Sequence, residues 1–98
     1  MGATDWNQEY AIVPVHGWEF IKISDAQKGV SIPVTFSHRF QQMPKMYLAF
    51  WATNGVSSRE TTISCDVLQL TAAGFELNIP PQALEYHVAV HWVAIGMR

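Results

Sequence analysis

Apolar and polar residues alternate along several stretches of the chain, and no stretch keeps a helical spacing, so the pattern predicts β-strands. The clearest alternation covers residues 30–40, where Ile32, Val34 and Phe36 share one face and mostly polar residues share the other. Pro33 lies in this run and cannot donate a ladder hydrogen bond, so we expect a strand that lies at the edge of its sheet or leaves that amide position unpaired. The same pattern predicts five further strands at residues 18–23, 45–53, 62–70, 75–79 and 86–95.

Turn signals separate these runs. An Asn-Gly pair at 54–55 tolerates positive φ and predicts a tight turn, after which the polar residues 56–61 are expected to form a loop. A Pro-Pro pair at 80–81 is expected to end the fifth strand. The run at residues 62–70 is predicted as a strand, and a short helix over 66–72 is the weaker alternative.

Six strands joined by short loops predict an all-β fold, namely a six-stranded antiparallel β-sandwich. A chain of 98 residues is the size of one domain, so we assign residues 1–98 to a single domain with residues 1–7 as a flexible end. The first twenty residues contain Asp5, Glu9 and Glu19 and lack an apolar core, so no signal peptide is visible. No apolar run reaches the ~18 residues that cross a bilayer, so membrane insertion is not expected.

The run at residues 45–53 is apolar on both of its faces, which is unusual for a strand of a small antiparallel domain. Its two faces consist of Met46, Leu48 and Phe50 on one side and Tyr47, Ala49 and Trp51 on the other. Charged residues make up only 14% of the chain, which leaves apolar surface for contacts between subunits. We therefore expect a homo-oligomer, and specifically a cyclic trimer. The net charge of −2 argues against a nucleic-acid partner, which usually selects a basic surface.

The alternation also predicts the core. Its expected members are Phe36, Leu48, Phe50, Ile63, Val67, Phe75, Val88, Val90 and Trp92. Cys65 is the sole cysteine, so the chain forms no internal disulfide and no cysteine-based zinc site. Because Cys65 lies in an apolar alternation, we expect a small buried hydrophobic residue and not a reactive thiol.

The sequence contains no glycine-rich phosphate loop, no nucleophile elbow and no zinc-protease helix motif, and we expect neither an enzyme nor a cofactor. His87 and His91 share one face of the last predicted strand but lie about 13 Å apart along it, too far to bind one metal ion together. A three-fold axis would gather three copies of one of them. The simpler interpretation is a half-buried histidine that is hydrogen-bonded at an interface.

Directional polar groups are concentrated in residues 54–61, where Arg59 offers a planar donor fork and Glu60 offers acceptors. Sugar hydroxyls both donate and accept, so such groups suit a carbohydrate. Trp51 or Tyr86 would cover the apolar face of a pyranose ring. The alternative is an ordinary solvated loop.

Residues 36–95 resemble the H-type lectin family, the snail agglutinin and discoidin C-terminal type. The resemblance is carried by Phe36, Phe40 and Pro44 before an apolar strand, by the motif Thr71-Ala72-Ala73-Gly74-Phe75, and by a closing strand from Tyr86 to Trp92-Val93-Ala94-Ile95. It implies a six-stranded sandwich that assembles as a parallel trimer and binds galactose or N-acetylgalactosamine in a groove between subunits.

The resemblance also implies positions for the sugar site. Asp25 lies in the predicted loop before the strand that contains Phe36, where the family has an Asp. Thr62 aligns with the family's Arg, and Arg59 lies three residues earlier. The family's Trp-containing loop is replaced here by residues 80–85. The candidate carbohydrate-binding residues are Asp25, Arg59, Glu60, Thr62, Gln82 and Tyr86.

The sequence thus predicts a secreted or cell-surface lectin that recognises galactose-type or related glycans multivalently. The alternative is a trimeric structural or host-recognition module, of adhesin or fibre-tip type, without a sugar site.

Overall fold

A computed structural model describes residues 12–53 and 58–97. The chain order of its elements is β1 (Ile12–Ile21), α1 (Ile23–Lys28), β2 (Val30–Thr35), β3 (Lys45–Thr53), β4 (Ser58–Glu60), β5 (Asp66–Leu68), β6 (Gly74–Ile79) and β7 (His87–Met97). The fold is all-β, as predicted, apart from the short helix α1. None of the described helical residues belongs to a segment long and apolar enough to cross a bilayer.

The strands form two antiparallel sheets, one of four strands in the order β1-β7-β3-β4 and one of three in the order β2-β6-β5. β7 is the centre of the larger sheet because β1 pairs along one of its sides and β3 along the other. β2 is an edge strand of the smaller sheet, which confirms the position expected from Pro33.

Aromatic side chains join the two sheets. The ring of Trp92 on β7 lies 5.3 Å from that of Phe75 on β6 and 5.8 Å from that of Phe36, which follows β2. Phe40 closes this cluster with an edge-to-face contact at 5.2 Å from Phe36. Such tilted and edge-to-face pairs stabilise a core by about 0.5–1.5 kcal/mol each beyond the area that they bury.

Most of the predicted core is confirmed. Phe36, Ile63, Phe75, Val88, Val90 and Trp92 are buried, and Leu48, Phe50 and Val67 are half-buried and pack against them. Leu77 and Ile79 are also buried, on the inward face that the alternation at residues 75–79 gives them together with Phe75. The buried residues that the prediction missed are Ile21, Ala26, Phe40, Ala52 and Ala94. Several of these lie at strand ends or in α1, where period-two alternation gives no signal.

The predicted strand at residues 18–23 was wrong in its bounds. β1 begins at Ile12 and ends at Ile21, and the chain then forms α1. The helix is one and a half turns long and packs through Ala26, which is fully buried. Gly29 ends it with a φ of 82°, a conformation that glycine adopts without steric cost. A helix this short has no repeated period, so the sequence pattern did not reveal it.

The polar loop predicted at residues 56–61 was also wrong, because Ser58–Glu60 forms β4 and pairs with the end of β3. This strand raises the number of described strands to seven, where six were predicted. The turn predicted at residues 54–55 and the flexible end at residues 1–7 lie outside the described residues.

Two other predicted strands are longer than the strands observed. The run at 62–70 contains only β5, and Gln69 directly after it has a φ of 51°, which takes the backbone out of the extended region. The alternative helix over 66–72 is therefore wrong. The run at 30–40 ends as a strand at Thr35 and continues as an irregular segment that places Phe36 and Phe40 in the core.

We predict that Phe75→Ala lowers the free energy of unfolding by about 3–5 kcal/mol, because it leaves a cavity at the junction of the two sheets. Denaturant unfolding followed by far-UV circular dichroism measures the change. Met43→Ala is the control, since Met43 is 64% exposed and its loss should cost little. Superimposable unfolding curves for Phe75→Ala and the parent would contradict this account of the core.

A second prediction concerns Gly17, which lies directly opposite Trp92 in the β1–β7 register. A Cβ atom at this position would lie 2.6 Å from a carbon of the buried indole ring, which has no room to withdraw. We expect Gly17→Ala to destabilise the fold by about 1–3 kcal/mol, the usual cost of overpacking. Thermal unfolding tests this, and a melting temperature unchanged from the parent would contradict it.

Candidate functional site

A pocket of about 230 Å³ opens at one end of the four-stranded sheet. The chain reaches it from three directions: the end of β3, the segment that follows β4, and the segment that leads into β7. Its lining residues are Ala52, Thr61, Thr62, Ile63, Ala83, Leu84, Glu85, Tyr86 and Val88.

The strand ladder positions these segments. The amide of Thr61 donates to the carbonyl of Phe50 at 3.0 Å, which continues the β3–β4 pairing by one residue and brings Thr62 to the pocket. On the other side, the hydroxyl of Thr53 donates to the carbonyl of His87 at 3.0 Å and holds the start of β7 against the end of β3. The mouth of the pocket is therefore built on paired backbone.

The pocket has an apolar floor and a polar rim. Ala52, Ile63 and Val88 are buried and belong to the interior, whereas Thr62 and Glu85 are exposed. Tyr86 is half-buried between them. The structure thus brings together two of the predicted site residues, Thr62 and Tyr86, and adds Glu85, which sequence reasoning did not single out.

Gln82 has a structural role next to the pocket, and it is not among the lining residues. Its Oε1 accepts a hydrogen bond from the amide of Ser64 at 3.0 Å, and its Nε2 donates to the carbonyls of Ser64 and Pro80 at 2.9 Å each. Its own amide donates to the carbonyl of Ala26 at 2.8 Å. Gln82 therefore ties three segments together, and both polar atoms of its side chain already have partners.

Asp25 lies in the first turn of α1, not in the loop in which we expected it, and it is exposed. It is not among the residues that line the pocket. The backbone of Arg59 pairs with Ala52 and that of Glu60 with Trp51, so β4 leads directly to the pocket. The side chains of Arg59 and Glu60 lie outside the description, and their roles stay predictions.

The outer face of the four-stranded sheet is a second feature, and we define it by its exposed large residues. These are Ile12, Trp18, Phe20, Tyr47, Trp51, Ile95 and Met97. The registers place all of them on the side of the sheet that faces away from the core. Trp18, Phe20 and Tyr47 are each more than half exposed, so three aromatic rings face solvent on one sheet.

Histidines lie among these residues. His91 is half-buried, stacks on Trp18 with ring centroids 4.4 Å apart, and makes a 3.1 Å hydrogen bond to His16. His87 accepts a hydrogen bond from the amide of Ile23 at 3.0 Å. The expected hydrogen bonding of these histidines is confirmed, and so is the half-burial of His91, but His87 is exposed. Their place in an interface stays a prediction. Among the residues described, no group of three His, Cys, Asp or Glu side chains converges as metal ligands.

Sequence reasoning did not identify His16 as a partner of His91. The two histidines are 75 positions apart, and their contact depends on the pairing of β1 with β7. No local signal in the sequence specifies which strands pair. The signal that the sequence offered for Glu85 was its position beside Tyr86, which indicates no chemistry by itself.

Cys65 is free and half-buried, packed against the core where we expected full burial. Burial, together with the nearby negative charge of Asp66, raises the pKa of the Cys65 thiol to about 11. The thiolate is the reactive form, so this thiol is nearly inert at neutral pH.

The chain has structural relatives among solved proteins. It superposes on the crystal structure of the tailspike protein gp49 from Pseudomonas phage LKA1 with a TM-score of 0.63 and 15% sequence identity. The superposition covers 86% of this chain and 15% of the tailspike chain, so the domain corresponds to a small part of that protein. No family model matches the chain, and no curated protein matches it. At this identity the likeness supports the fold alone.

We predict that Gln82→Ala destabilises the protein by about 1–3 kcal/mol, because the amide and carbonyl of Ser64 and the carbonyl of Pro80 lose their partner. Chemical unfolding measures the loss. Gln42→Ala is the matched control, since Gln42 is exposed and its replacement should be nearly neutral. Equal free energies of unfolding for the two variants would show that the hydrogen bonds of Gln82 do not stabilise the fold.

A further prediction concerns Cys65. Iodoacetamide should alkylate it far more slowly than a free thiol at pH 8, and unfolding in urea should restore the ordinary rate. Folding raises the pKa of the Cys65 thiol from 9.0 to about 11. The neutral thiol therefore contributes to the free energy of unfolding below pH 9, and this contribution is lost as the pH rises through 11. Mass spectrometry follows the alkylation, and fast labelling of the folded protein at pH 8 would contradict the prediction.

Proposed function

We propose that this domain is a non-catalytic carbohydrate-recognition module that acts as a homotrimer, with a sandwich architecture of the H-type lectin kind. The observation that carries the proposal is the pocket, which joins Thr62 and Tyr86 from distant parts of the chain. Thr62 is also the position at which the resemblance to H-type lectins expects a sugar-binding side chain.

The composition of the pocket suits one sugar ring. Carbohydrates present polar hydroxyls on their edges and apolar C–H groups on their faces. Thr62 and Glu85 on the rim supply a hydroxyl and carboxylate acceptors, and the ring of Tyr86 supplies an apolar wall. Arg59 and Glu60, on the strand that leads to the pocket, are proposed to complete the set of hydrogen-bonding groups.

The outer face supports the trimer. An aromatic side chain carries roughly 150–250 Å² of surface. Trp18, Phe20, Tyr47 and Trp51 are about half exposed, so together they present about 400 Å² of surface per chain. Each partner in a standard interface buries about 800 Å², so these four side chains supply about half of that area. The aliphatic residues of the same face add to this, and Lys45 is the charged residue of β3 on that side.

Trimer formation would matter for binding. A shallow pocket with few polar contacts should bind one sugar weakly, with a Kd of about 10 µM to 1 mM. Three equivalent pockets on one particle gain about 10²–10⁴ in avidity on a surface that carries many copies of the glycan. The domain also shares its fold with a part of a phage tailspike protein.

The second candidate is a trimeric structural or host-recognition module without a sugar site. The saturation of Gln82 by backbone partners favours it, because this loop stands where H-type lectins carry their Trp. In that case the domain contributes assembly or protein contacts, and the pocket is only a surface depression.

A glycan array separates the two candidates. We expect the parent to bind a defined group of galactose-type or related glycans. Tyr86→Ala and Thr62→Ala should each reduce the signal at least about tenfold, by loss of the wall and of a rim hydroxyl. Thr35→Ala is the matched control, since Thr35 is exposed on the other sheet. Silence of the parent across all glycans, with the oligomer intact, would support the second candidate.

The oligomeric state is tested separately. Multi-angle light scattering should give three times the mass of the 11.0 kDa chain. Trp18→Asp or Tyr47→Asp should release monomers, because each places a charge in the proposed interface. Leu68→Asp is the control, since Leu68 is 43% exposed but lies on the other sheet. A parent that runs as a monomer at micromolar concentration would overturn the trimer.

A further inference from the structure

Two imidazole rings from different strands meet on the outer face. His16 on β1 lies opposite Val93, and His91 on β7 lies opposite Trp18, so the two histidines are diagonal neighbours across the β1–β7 ladder. Nδ1 of His16 and Nε2 of His91 are 3.1 Å apart, and the rings are perpendicular with centroids at 5.2 Å. Two potential metal-binding nitrogens of one chain thus point to the same small volume.

The separation of these nitrogens is the one that a shared transition-metal ion requires. Imidazole nitrogens bind Zn²⁺ at about 2.0–2.1 Å. For angles at the metal between square and tetrahedral values, two such ligands lie about 2.9–3.4 Å apart. The observed 3.1 Å falls inside this range, so a small rotation of the rings would direct both nitrogens at one ion.

The surroundings hold the pair in place. Trp18 stacks on His91 with an interplanar angle of 16°, which limits the rotation of that imidazole. Both histidines lie on paired strands, so their backbones are fixed relative to each other. From β3, Ala49 lies opposite His91, with Tyr47 and Lys45 farther along the same face.

We propose that His16 Nδ1 and His91 Nε2 bind one divalent transition-metal ion of the Cu²⁺, Ni²⁺ or Zn²⁺ class, with water completing the coordination shell. Imidazole is a preferred ligand of these ions, and Mg²⁺ prefers oxygen ligands. The hydrogen that the two rings share moves to the far nitrogen of its ring when the ion binds, so both rings bind in their neutral form. The site is independent of the pocket and of any sugar bound there, and it lies on the outer face through which the trimer is proposed to form.

Isothermal titration of the full chain with each metal salt alone, at pH 7.5, tests the proposal. We expect one ion bound per chain, with Cu²⁺ tightest and no binding of Mg²⁺. His16→Gln and His91→Gln should each weaken binding about tenfold or more, since one ligand is lost. His38→Gln is the matched control, because His38 is exposed and lies outside the outer face.

A second measurement follows the metal affinity as a function of pH. Metal ions compete with protons for imidazole nitrogen, so affinity should fall as the pH is lowered. Circular dichroism of each variant confirms that it is folded before titration. The proposal fails if the parent binds none of the three ions, if both outer-face variants bind like the parent, or if His38→Gln loses as much affinity as they do.

Discussion

The packing of Trp92 against Phe36 and Phe75 is the contact on which the rest of the structure depends. Trp92 extends from β7, the central strand of the larger sheet, and its two aromatic partners belong to the smaller sheet and the segment that follows β2. A domain of 98 residues has room for one small core, so a single aromatic junction has to hold both sheets. The same contact requires a glycine at position 17, because the indole of Trp92 occupies the space in which a Cβ atom would lie.

β7 also contributes side chains to both faces of the larger sheet. Its inward residues, Val88, Val90 and Trp92, form the core, while its outward residues, among them His91, form the middle of the outer face. The outer face carries the exposed rings of Trp18, Phe20, Tyr47 and Trp51. Exposed aromatic rings of this density are costly in water, and the proposed assembly of identical chains would remove that cost without any change to the fold.

The pocket lies where the end of β3 meets the segments that follow β4 and precede β7, and its shape depends on how these segments are held. The side-chain amide of Gln82 binds the backbone of Ser64 and Pro80, and the backbone N–H of Gln82 donates to the carbonyl of Ala26, so hydrogen bonds hold these segments where hydrophobic packing holds others. Rigid support beneath a polar rim favours recognition of a small ligand, because less ordering is required when the ligand binds. The same bonds remove Gln82 from the set of groups that are free to contact a ligand.

The sequence by itself determined the all-β class, the strand β3 with its bounds, the edge position of β2, and the buried faces of β6 and β7. Each of these rests on period-two alternation or on the missing amide hydrogen of Pro33, which are local properties of the chain. The helix α1 and the strand β4 did not follow from the pattern, because one is too short to show a period and the other is polar and stabilised by its pairing with β3. The pairing of β1 with β7, the contact between His16 and His91, and the meeting of Thr62 with Tyr86 were decided only by the tertiary structure. They join residues far apart in the chain, and their formation depends on which strands pair and in which register, an outcome of the packing of the whole domain.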